Sequence, residues 1–494
     1  MKKVLALLLA LVMVASLAAC GGAAQSSAAP AESQAASSEE AKPEETPAPT
    51  EAPESSVEEG SAVEQEEKAS DDIITVTYFC TIGAYLELLV NEIDKWNAGE
   101  GKEKGVYIEV TSNINDGSSA IEAQMQAGNH WDMMDGGTNQ AWVLQGWVKD
   151  LNEIDDPDLK ALIESDAPYF TPQCTVGGKL VALPLEAVPL KLAVNVDLFE
   201  KSGLEYPKTW DEFIACAKKI TEDNPGTAWG LGGTTWSAFY RRLFMKSMSA
   251  SLEKNYWDPT TGTYSFGQYK PIMDGLRDLY ASGCILGMDD LAIDPIRAEF
   301  AAGKVGMFPA PAYDWSVYTN QFPAECNWTI IDMPTLGDKA EYKGSYIPRV
   351  NNSIDQVNWD AADDAKKAAI VDAYVFLNSD ALNSTIYANA GIIPLKPEIA
   401  ASTDLVITQN QEQWAIMSDL TNYAPEVYTP DGMLPLEGDK FPDVFSQYLH
   451  GDIDDWDALV ADLDERYNAA WAEAVEDPDI DTDRYLYDYS HNLD

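Results

Sequence analysis

Hydrophobic and polar positions are patterned most clearly in residues 177–221, where they predict a hairpin, a strand and a helix. The Gly177-Gly178 pair is a turn signal between two short apolar runs. Pro184 is expected to end the second run because its ring has no N–H for a sheet ladder. In residues 190–197, apolar and polar side chains alternate with the period of a half-buried strand. The hairpin should therefore lead into a strand with one buried face.

A helix is predicted to follow this strand. Thr209 lies three residues before Glu212, which is the spacing of a capping box that satisfies unpaired amides at a helix start. Apolar residues from Trp210 to Ile220 then recur at helical spacing. The pattern indicates one amphipathic helix that begins at Trp210.

The first part of the globular region predicts a parallel sheet. Residues 73–79 and 106–110 are rich in β-branched and aromatic side chains, as strands are, and residues 86–96 and 119–127 have apolar positions at helical spacing. An alternation of strand and helix implies parallel strands joined by right-handed crossovers. The fold class is therefore expected to be α/β.

Farther along, the pattern is less regular. Residues 328–334 and 346–348 indicate short strands, and residues 230–236 form a glycine-rich stretch that predicts a loop. Residues 453–475 have an apolar stripe and predict a long closing helix. The acidic tail from residue 477 onwards is expected to be loosely held.

The first 20 residues are typical of a lipoprotein signal peptide. Lys2 and Lys3 precede an apolar run over residues 4–15, and Cys20 follows small residues at a lipobox-like site. The run is shorter than the about 20 residues that span a bilayer. We expect cleavage before Cys20 and acylation of its thiol, which would anchor the chain to the extracytoplasmic face of the cell membrane. A short membrane anchor with a chance cysteine is the alternative.

Residues 21–70 are predicted to form a disordered acidic tether. They contain twelve Glu and two Lys, no aromatic residue and almost no aliphatic residue larger than Ala. Such a segment buries too little apolar surface to offset its chain entropy, and its charge and prolines should extend it. Beyond it, about 420 residues of globular composition exceed what one hydrophobic core usually serves, so two lobes are expected.

Charge and motif content exclude several classes of function. The formal net charge of −50 argues against nucleic acid and anionic lipid as partners, because phosphates are bound by Lys and Arg. No zinc-protease, nucleophile-elbow or calcium-loop motif is present, so we expect no enzymatic activity, no cofactor and no metal site. Five cysteines follow Cys20 without a CxxC pair, and mostly unpaired thiols are expected.

Three motifs in succession resemble a known family. They are GKLVALP at residues 178–184, NVDLF at residues 195–199 and GLEYPKTWDEF at residues 203–213. In this order and spacing they resemble the extracellular solute-binding proteins of sugar-importing ABC transporters, to which maltose-binding protein is distantly related. Residues 127–134 are similar to the family's short buried strand, although Trp131 stands where the family has Pro.

The resemblance implies a two-lobed, periplasmic-binding-protein-like α/β fold with a cleft between the lobes. Three crossings near residues 186–192, 346–351 and 394–400 would act as hinges. The expected boundaries are residues 71–187 and 348–396 for lobe 1, and residues 188–347 and 397–494 for lobe 2 with the acidic tail.

The resemblance also implies a function. The protein, expected to be a monomer, would capture a carbohydrate, expected to be an oligosaccharide, by hinge closure and deliver it to the permease subunits of an ABC transporter. A secreted hydrolase that acts on glycans is one alternative. The same binding fold with a peptide or polyamine as its solute is another.

The candidate binding residues combine aromatic faces, which stack on sugar rings, with carboxylate and amide groups that hydrogen-bond to hydroxyls. They are Tyr85, Asp116, Asn139 and Glu186 on one side of the cleft, and Trp236, Tyr313 and Trp315 on the other. Asn139 is placed in the loop at the carboxyl end of a buried strand, where open α/β sheets bind ligands. Asp116 is the weaker choice, since a turn-forming role explains it better than a binding role does.

Overall fold

A computed structural model describes residues 61–62, 65, 68, 70, 72–83, 85–112, 117–239, 255–336, 342–477 and 480–488. Cys20, the predicted signal peptide, most of the predicted tether and Asp116 lie outside the described residues. Among the described residues, no helix has both the length and the apolar character needed to cross a membrane.

Sixteen strands occur in the described residues. They are β1 (Ser61–Ala62), β2 (Ile74–Cys80), β3 (Val106–Ser112), β4 (Met133–Met134), β5 (Thr175–Val176), β6 (Lys179–Leu180), β7 (Pro184–Asn195), β8 (Trp229–Gly232), β9 (Trp257–Asp258), β10 (Thr263–Tyr264), β11 (Ile285–Leu286), β12 (Val305–Pro311), β13 (Trp328–Ile331), β14 (Gly344–Val350), β15 (Ser353–Ile354) and β16 (Tyr423–Pro425).

The described residues also form eighteen α-helices. They are α1 (Leu86–Ala98), α2 (Glu100–Lys104), α3 (Gly117–Gln126), α4 (Gln140–Leu144), α5 (Pro157–Asp166), α6 (Val196–Ser202), α7 (Trp210–Asp223), α8 (Trp236–Ala238), α9 (Lys270–Ala281), α10 (Ile293–Ala301), α11 (Asp314–Ser316), α12 (Gln356–Ala361), α13 (Asp364–Leu377), α14 (Asp380–Ala388), α15 (Pro397–Ser402), α16 (Gln411–Ser418), α17 (Phe441–His450) and α18 (Trp456–Glu476). Shorter 3₁₀ or π turns lie at Leu151–Glu153, Ala167–Tyr169, Gly267–Tyr269, Val317–Gln321 and Asp483–Tyr485.

The first sheet has five strands in the order β1-β3-β2-β4-β15. Strand β2 pairs in parallel with β3 and with β4, as the alternation of strand and helix predicted. Strand β1 pairs with β3 although residues 61–62 fall within the predicted tether. Gln65 adds to this contact, because its side-chain oxygen accepts a 2.6 Å hydrogen bond from the Val110 N–H. The folded region thus begins before residue 71.

The second sheet has seven strands and is organised around β7. Its order is β11-β8-β12-β7-β14-β16, with β13 also paired to β7. All twelve residues of β7 are buried, so the prediction of a half-buried strand is wrong. The reason is that β7 has neighbours on both edges and covered faces. Even the Lys191 ammonium is buried, and it donates 2.7 Å hydrogen bonds to the carbonyls of Ile416 and Asp419.

Pro184 begins β7 instead of ending the preceding run. Proline is tolerated as the first residue of a strand, where its missing N–H leaves no ladder bond unmade. Pro189 lies at a second position in β7 where a proline can be accommodated. Strand β7 pairs with β14 up to Pro189 and with β12 from Leu190 onwards, so the proline sits where the strand exchanges partners. The predicted hairpin itself is present as the antiparallel pair β5 and β6.

The helix predicted at Trp210 is confirmed as α7. The Thr209 hydroxyl accepts from the Glu212 N–H at 3.3 Å, and the Glu212 carboxylate accepts from the Thr209 N–H at 3.1 Å, which completes the capping box. Phe213 and Ile220 are fully buried, so this helix covers one face of the second sheet.

The glycine-rich stretch was expected to be a loop, but its first part is strand β8. A Cβ atom at Gly230 would lie 2.0 Å from the Ala217 carbonyl oxygen, and one at Gly232 would lie 2.8 Å from the Phe308 ring. These glycines allow close packing of β8 against α7 and β12. Their role is therefore structural.

The acidic tail is not loosely held where it is described. Tyr485 is 6% exposed and belongs to the same buried cluster as Trp257 and Trp471. The aromatic side chains of this stretch fill a hydrophobic pocket in spite of the surrounding carboxylates. Cys80, Cys174, Cys216, Cys284 and Cys326 are free thiols, as predicted.

Candidate functional site

A cavity of about 410 Å³ lies where the three predicted hinge crossings meet. Glu186 of β7 is opposite Arg349 of β14 in the strand register and forms a bridge with Pro394 on its other side. The Ala187 N–H donates to the Ile393 carbonyl at 2.8 Å. The three segments thus run side by side, and Glu186 and Arg349 of the first two form the floor of the cavity.

The Glu186–Arg349 pair is the central polar feature of this floor. The Arg349 guanidinium donates to the Glu186 carboxylate at 3.3 Å. Glu186 is 7% exposed, whereas half of the Arg349 side-chain surface remains accessible. Burial raises the pKa of the Glu186 carboxyl, and the charge of Arg349 opposes this shift. The pair offers both an acceptor and several N–H donors to a molecule in the cavity.

Asp135 forms one wall, directly after strand β4. Its carboxylate accepts from the Tyr78 hydroxyl and the Thr81 N–H, both at 2.7 Å, and from the Thr81 hydroxyl at 3.0 Å. Desolvation raises the pKa of Asp135, and these hydrogen bonds oppose the rise. Since most of its acceptor capacity is used, Asp135 mainly fixes the loop at the carboxyl ends of β2 and β4.

Tyr85, predicted from the sequence, lies beside this wall. It directly precedes α1, is 8% exposed and lines the cavity. Gly391 makes room for it, because a Cβ atom at this glycine would lie 3.1 Å from the Tyr85 Cβ. Burial raises the pKa of the Tyr85 hydroxyl, so this group is a neutral donor and acceptor.

The opposite wall comes from the loop after β12. Ala312 and Tyr313 line the cavity, and the Arg297 guanidinium lies 5.7 Å from the centre of the Tyr313 ring. Arg297 also forms an ion pair with the fully buried Asp314. The position of Tyr313 is thus supported from behind by a buried charged pair.

The remaining predicted residues lie elsewhere. The indole N–H of Trp315 donates to the Asn410 carbonyl at 2.8 Å, and that of Trp236 donates to the Pro442 carbonyl at 2.6 Å; both rings are buried in the core. Asn139 caps α4 by accepting from the Ala141 N–H at 2.9 Å, and its neighbour Thr138 lines the cavity. The structure thus brings together Tyr85, Glu186 and Tyr313.

Sequence reasoning did not select Asp135, Gln173, Arg349 or Asn351, all of which line the cavity. Two of them carried a usable signal. Arg349 lies within the predicted 346–351 crossing, and Asp135 begins the loop in which Asn139 was chosen. Within the described residues, no group of three or more His, Cys, Asp or Glu side chains is arranged to hold a metal ion.

Known proteins resemble this chain in sequence and in fold. Residues 83–325 match the family described as bacterial extracellular solute-binding protein. A multiple sugar-binding protein of Streptococcus mutans is 21% identical over 193 residues, which are 37% of this chain and 43% of that one. The match therefore spans less than half of that relative's length.

Two solved structures show the same fold. An ABC substrate-binding protein of Listeria monocytogenes in complex with cycloalternan has a TM-score of 0.59 and 18% identity, and covers 81% of this chain and 98% of its own. The maltose/maltodextrin-binding domain of Bdellovibrio bacteriovorus, bound to maltotriose, has a TM-score of 0.58 and 16% identity over 82% of this chain and 100% of its own. Residues 83–325 of this chain thus match the family of bacterial extracellular solute-binding proteins in sequence, and the chain shares the α/β fold of these two structures.

Proposed function

We propose that this protein binds a carbohydrate in the cavity at the three crossings and delivers it to the permease subunits of an ABC transporter. The observation that carries the proposal is the position of the Glu186–Arg349 pair, which lines the cavity and lies on two crossings at once. A solute that bonds to this pair contacts the segments about which the lobes would move.

The lining suits a neutral polyhydroxylated solute. The Arg349 guanidinium donates to hydroxyl oxygens, and the Glu186 carboxylate accepts from hydroxyl groups. Tyr85 and Tyr313 supply aromatic faces for the C–H side of a sugar ring. The volume of about 410 Å³ is within the range of small-molecule sites.

Closure of the lobes would follow if the solute has a higher affinity for the closed state than for the open state. Lobe 1, residues 71–187 and 348–396, would hold the solute on its polar wall, and lobe 2, residues 188–347 and 397–494, would bring Tyr313 against it. A solute that contacts both walls binds the closed state more tightly and shifts the population towards it.

The first experiment is calorimetric titration with maltotriose and cycloalternan, followed by chromatography of the recovered ligand. Saturable binding with unchanged ligand is expected. A matched pair of variants places the site: Glu186→Gln should weaken binding at least tenfold, and the exposed Glu200→Gln should not. Hydrolysed ligand would support the glycan hydrolase instead, and binding of a peptide or polyamine alone would change the solute class.

We also propose that acylated Cys20 anchors the mature chain, with residues 21–60 as the extension between the membrane and the folded part. The charge of this extension, nine Glu against one Lys, keeps it away from an anionic surface. Detergent phase partition of the full chain tests the anchor. The wild type is expected in the detergent phase and Cys20→Ser in the aqueous phase, and the same distribution for both would contradict the proposal.

A further inference from the structure

Residues 480–488, called here the 480–488 segment, are fixed to the β9–β10 hairpin, which packs in the same buried cluster as Leu192 and Val194 of the second sheet. The Trp257 indole N–H donates to the Tyr485 carbonyl at 3.2 Å, and the Tyr487 N–H donates to the Pro259 carbonyl at 3.1 Å. The Tyr428 N–H donates to the Tyr487 hydroxyl at 2.9 Å. The segment is therefore bound to the β9–β10 hairpin and to the chain near residue 428.

From this anchorage the segment reaches a different part of the molecule. The Asp481 carboxylate accepts from the Gly177 N–H at 2.5 Å, and the Arg484 guanidinium donates to the Pro172 carbonyl at 3.2 Å. Residues 172–177, called here the Gln173 loop, lie between these two contacts. Gln173 is in this loop and lines the cavity.

The Gln173 loop packs with the first sheet. Val176 at its end is buried in one cluster with Phe79 of β2 and Met134 of β4. The Cys174 carbonyl accepts from the Val181 N–H at 2.9 Å, which closes the hairpin behind the loop. The 480–488 segment therefore connects the side of the second sheet to a cavity wall on the side of the first.

The Arg484 side chain is held firmly enough to position its partner. It is 7% exposed, and its guanidinium lies 4.8 Å from the centre of the Tyr428 ring. The Tyr428 and Tyr485 rings are stacked, with centres 5.0 Å apart and planes at 4°. A planar guanidinium against stacked aromatic rings loses little further freedom when it donates a hydrogen bond.

We propose that the 480–488 segment supports one wall of the binding cavity, and that Asp481 and Arg484 are positioning residues that clamp both ends of the Gln173 loop. The inference rests on the proposed function. The Gln173 amide both donates and accepts, as hydroxyl recognition requires. Because the clamp is fixed to the β9–β10 hairpin, which packs in the hydrophobic cluster of the second sheet, the position of Gln173 depends on both lobes at once.

The first test needs no ligand. Amide hydrogen exchange of residues 172–178 is compared between the wild type, Asp481→Ala, Arg484→Ala and the control Asp483→Ala, which removes an exposed carboxylate from the same segment. Exchange at Gly177 is expected to be at least tenfold faster in Asp481→Ala and unchanged in Asp483→Ala. Equal exchange in all four proteins would overturn the clamp.

Arg484 is buried, so a thermal melt accompanies each variant. If Arg484→Ala fails to fold, Asp481→Ala decides the matter, since Asp481 is only half-buried. Arg484→Lys keeps a donor for the Pro172 carbonyl and is expected to restore most of the protection. Protection lost equally in Arg484→Lys and Arg484→Ala would contradict a role for this hydrogen bond.

The second test measures coupling to Gln173, with maltotriose as the probe. Gln173→Ala and Asp481→Ala are each expected to weaken binding about five- to tenfold, and the double variant no more than Gln173→Ala alone. If the double variant loses affinity by the product of the two single losses, Asp481 acts independently of Gln173. That result would overturn the positioning role. If the wild type binds neither maltotriose nor cycloalternan, the proposed carbohydrate function fails, and the exchange result alone supports or overturns the clamp.

Discussion

The two walls of the cavity are built in different ways. On the side of the first sheet, polar groups face the cavity directly, and Asp135 is held by three hydrogen bonds from Tyr78 and Thr81. On the side of the second sheet, Tyr313 presents an aromatic ring, and its charged support, Arg297 with Asp314, lies behind it. Each wall thus contains an aspartate of raised pKa, but only Asp135 lines the cavity.

The difference indicates that the two walls have different roles in binding. A wall of fixed polar groups recognises hydroxyls with little reorganisation, which favours first capture of a solute. A wall that presents chiefly one aromatic face adds contact area once the lobes approach. The comparison therefore predicts that substitutions in the two walls separate recognition from closure, and that substitutions behind the second wall change stability.

The largest effects should distinguish Tyr313 from Trp315. Trp315 is 4% exposed and packs edge-on against Trp414, so Trp315→Ala is expected to lower the free energy of unfolding by about 3–5 kcal/mol. Tyr313→Ala should cost less than about 1 kcal/mol of stability but weaken carbohydrate binding by about 1–2 kcal/mol. Chemical denaturation and calorimetric titration of both variants measure the two quantities. If both variants lose the same free energy of unfolding, Tyr313 is as much a part of the core as Trp315, and the distinction between them fails.

Arg349→Ala should cause the next largest effect, a loss of about 2–4 kcal/mol in binding free energy. The variant removes the donors of the cavity floor and leaves the Glu186 carboxylate, which is 7% exposed, without its charged partner. Arg277→Ala is the matched control, because Arg277 pairs with the exposed Asp454 away from the cavity. Affinity for maltotriose is the measurement. Equal affinity in both variants would exclude the floor from the site.

Local features of this fold were predictable and distant pairings were not. The capping box of Thr209 and Glu212 spans three residues, and its geometry follows from the sequence alone. The partners Glu186 and Arg349 are 163 residues apart, so only the assembled sheet shows that they meet. Trp236 is another example of a distant pairing, since the hydrogen bond from its indole N–H to the Pro442 carbonyl spans 206 residues. A tryptophan in a loop and one in a core look alike until such contacts are known.

The support behind the second wall should respond to pH. Burial raises the pKa of Asp314 to about 6, against the opposing charge of Arg297, whereas an unfolded aspartate titrates near about 3.9. Between these values the folded state binds more protons than the unfolded state. The stabilising contribution of this group is therefore complete below about pH 4 and is lost as the pH rises through about 6.

From this group alone, the free energy of unfolding is expected to fall by about 2–3 kcal/mol between about pH 4 and pH 7. Urea denaturation at a series of pH values measures the slope. Asp314→Asn should flatten it, whereas Asp294→Asn should not, because Asp294 bonds the same arginine from an exposed position. A slope that Asp314→Asn leaves unchanged would mean that Asp314 does not titrate in this range.

The smallest expected effect tests the edge of the first wall. Asn139 was predicted to bind the solute, yet its side chain is exposed and accepts from the Ala141 N–H at the start of α4. Asn139→Ala should therefore lower the free energy of unfolding by about 1 kcal/mol, the usual value of an N-cap, and leave affinity unchanged.

The adjacent Thr138 lines the cavity and provides the contrast, since Thr138→Ala should weaken binding a few-fold with little change in stability. Titration and urea denaturation of the two single variants give a two-by-two comparison. If Asn139→Ala weakens binding and keeps full stability, the polar wall extends one residue further than the cavity lining indicates. In that case the side chain would have to leave its cap when the solute binds, and the amides at the start of α4 would lose protection from exchange on ligand addition.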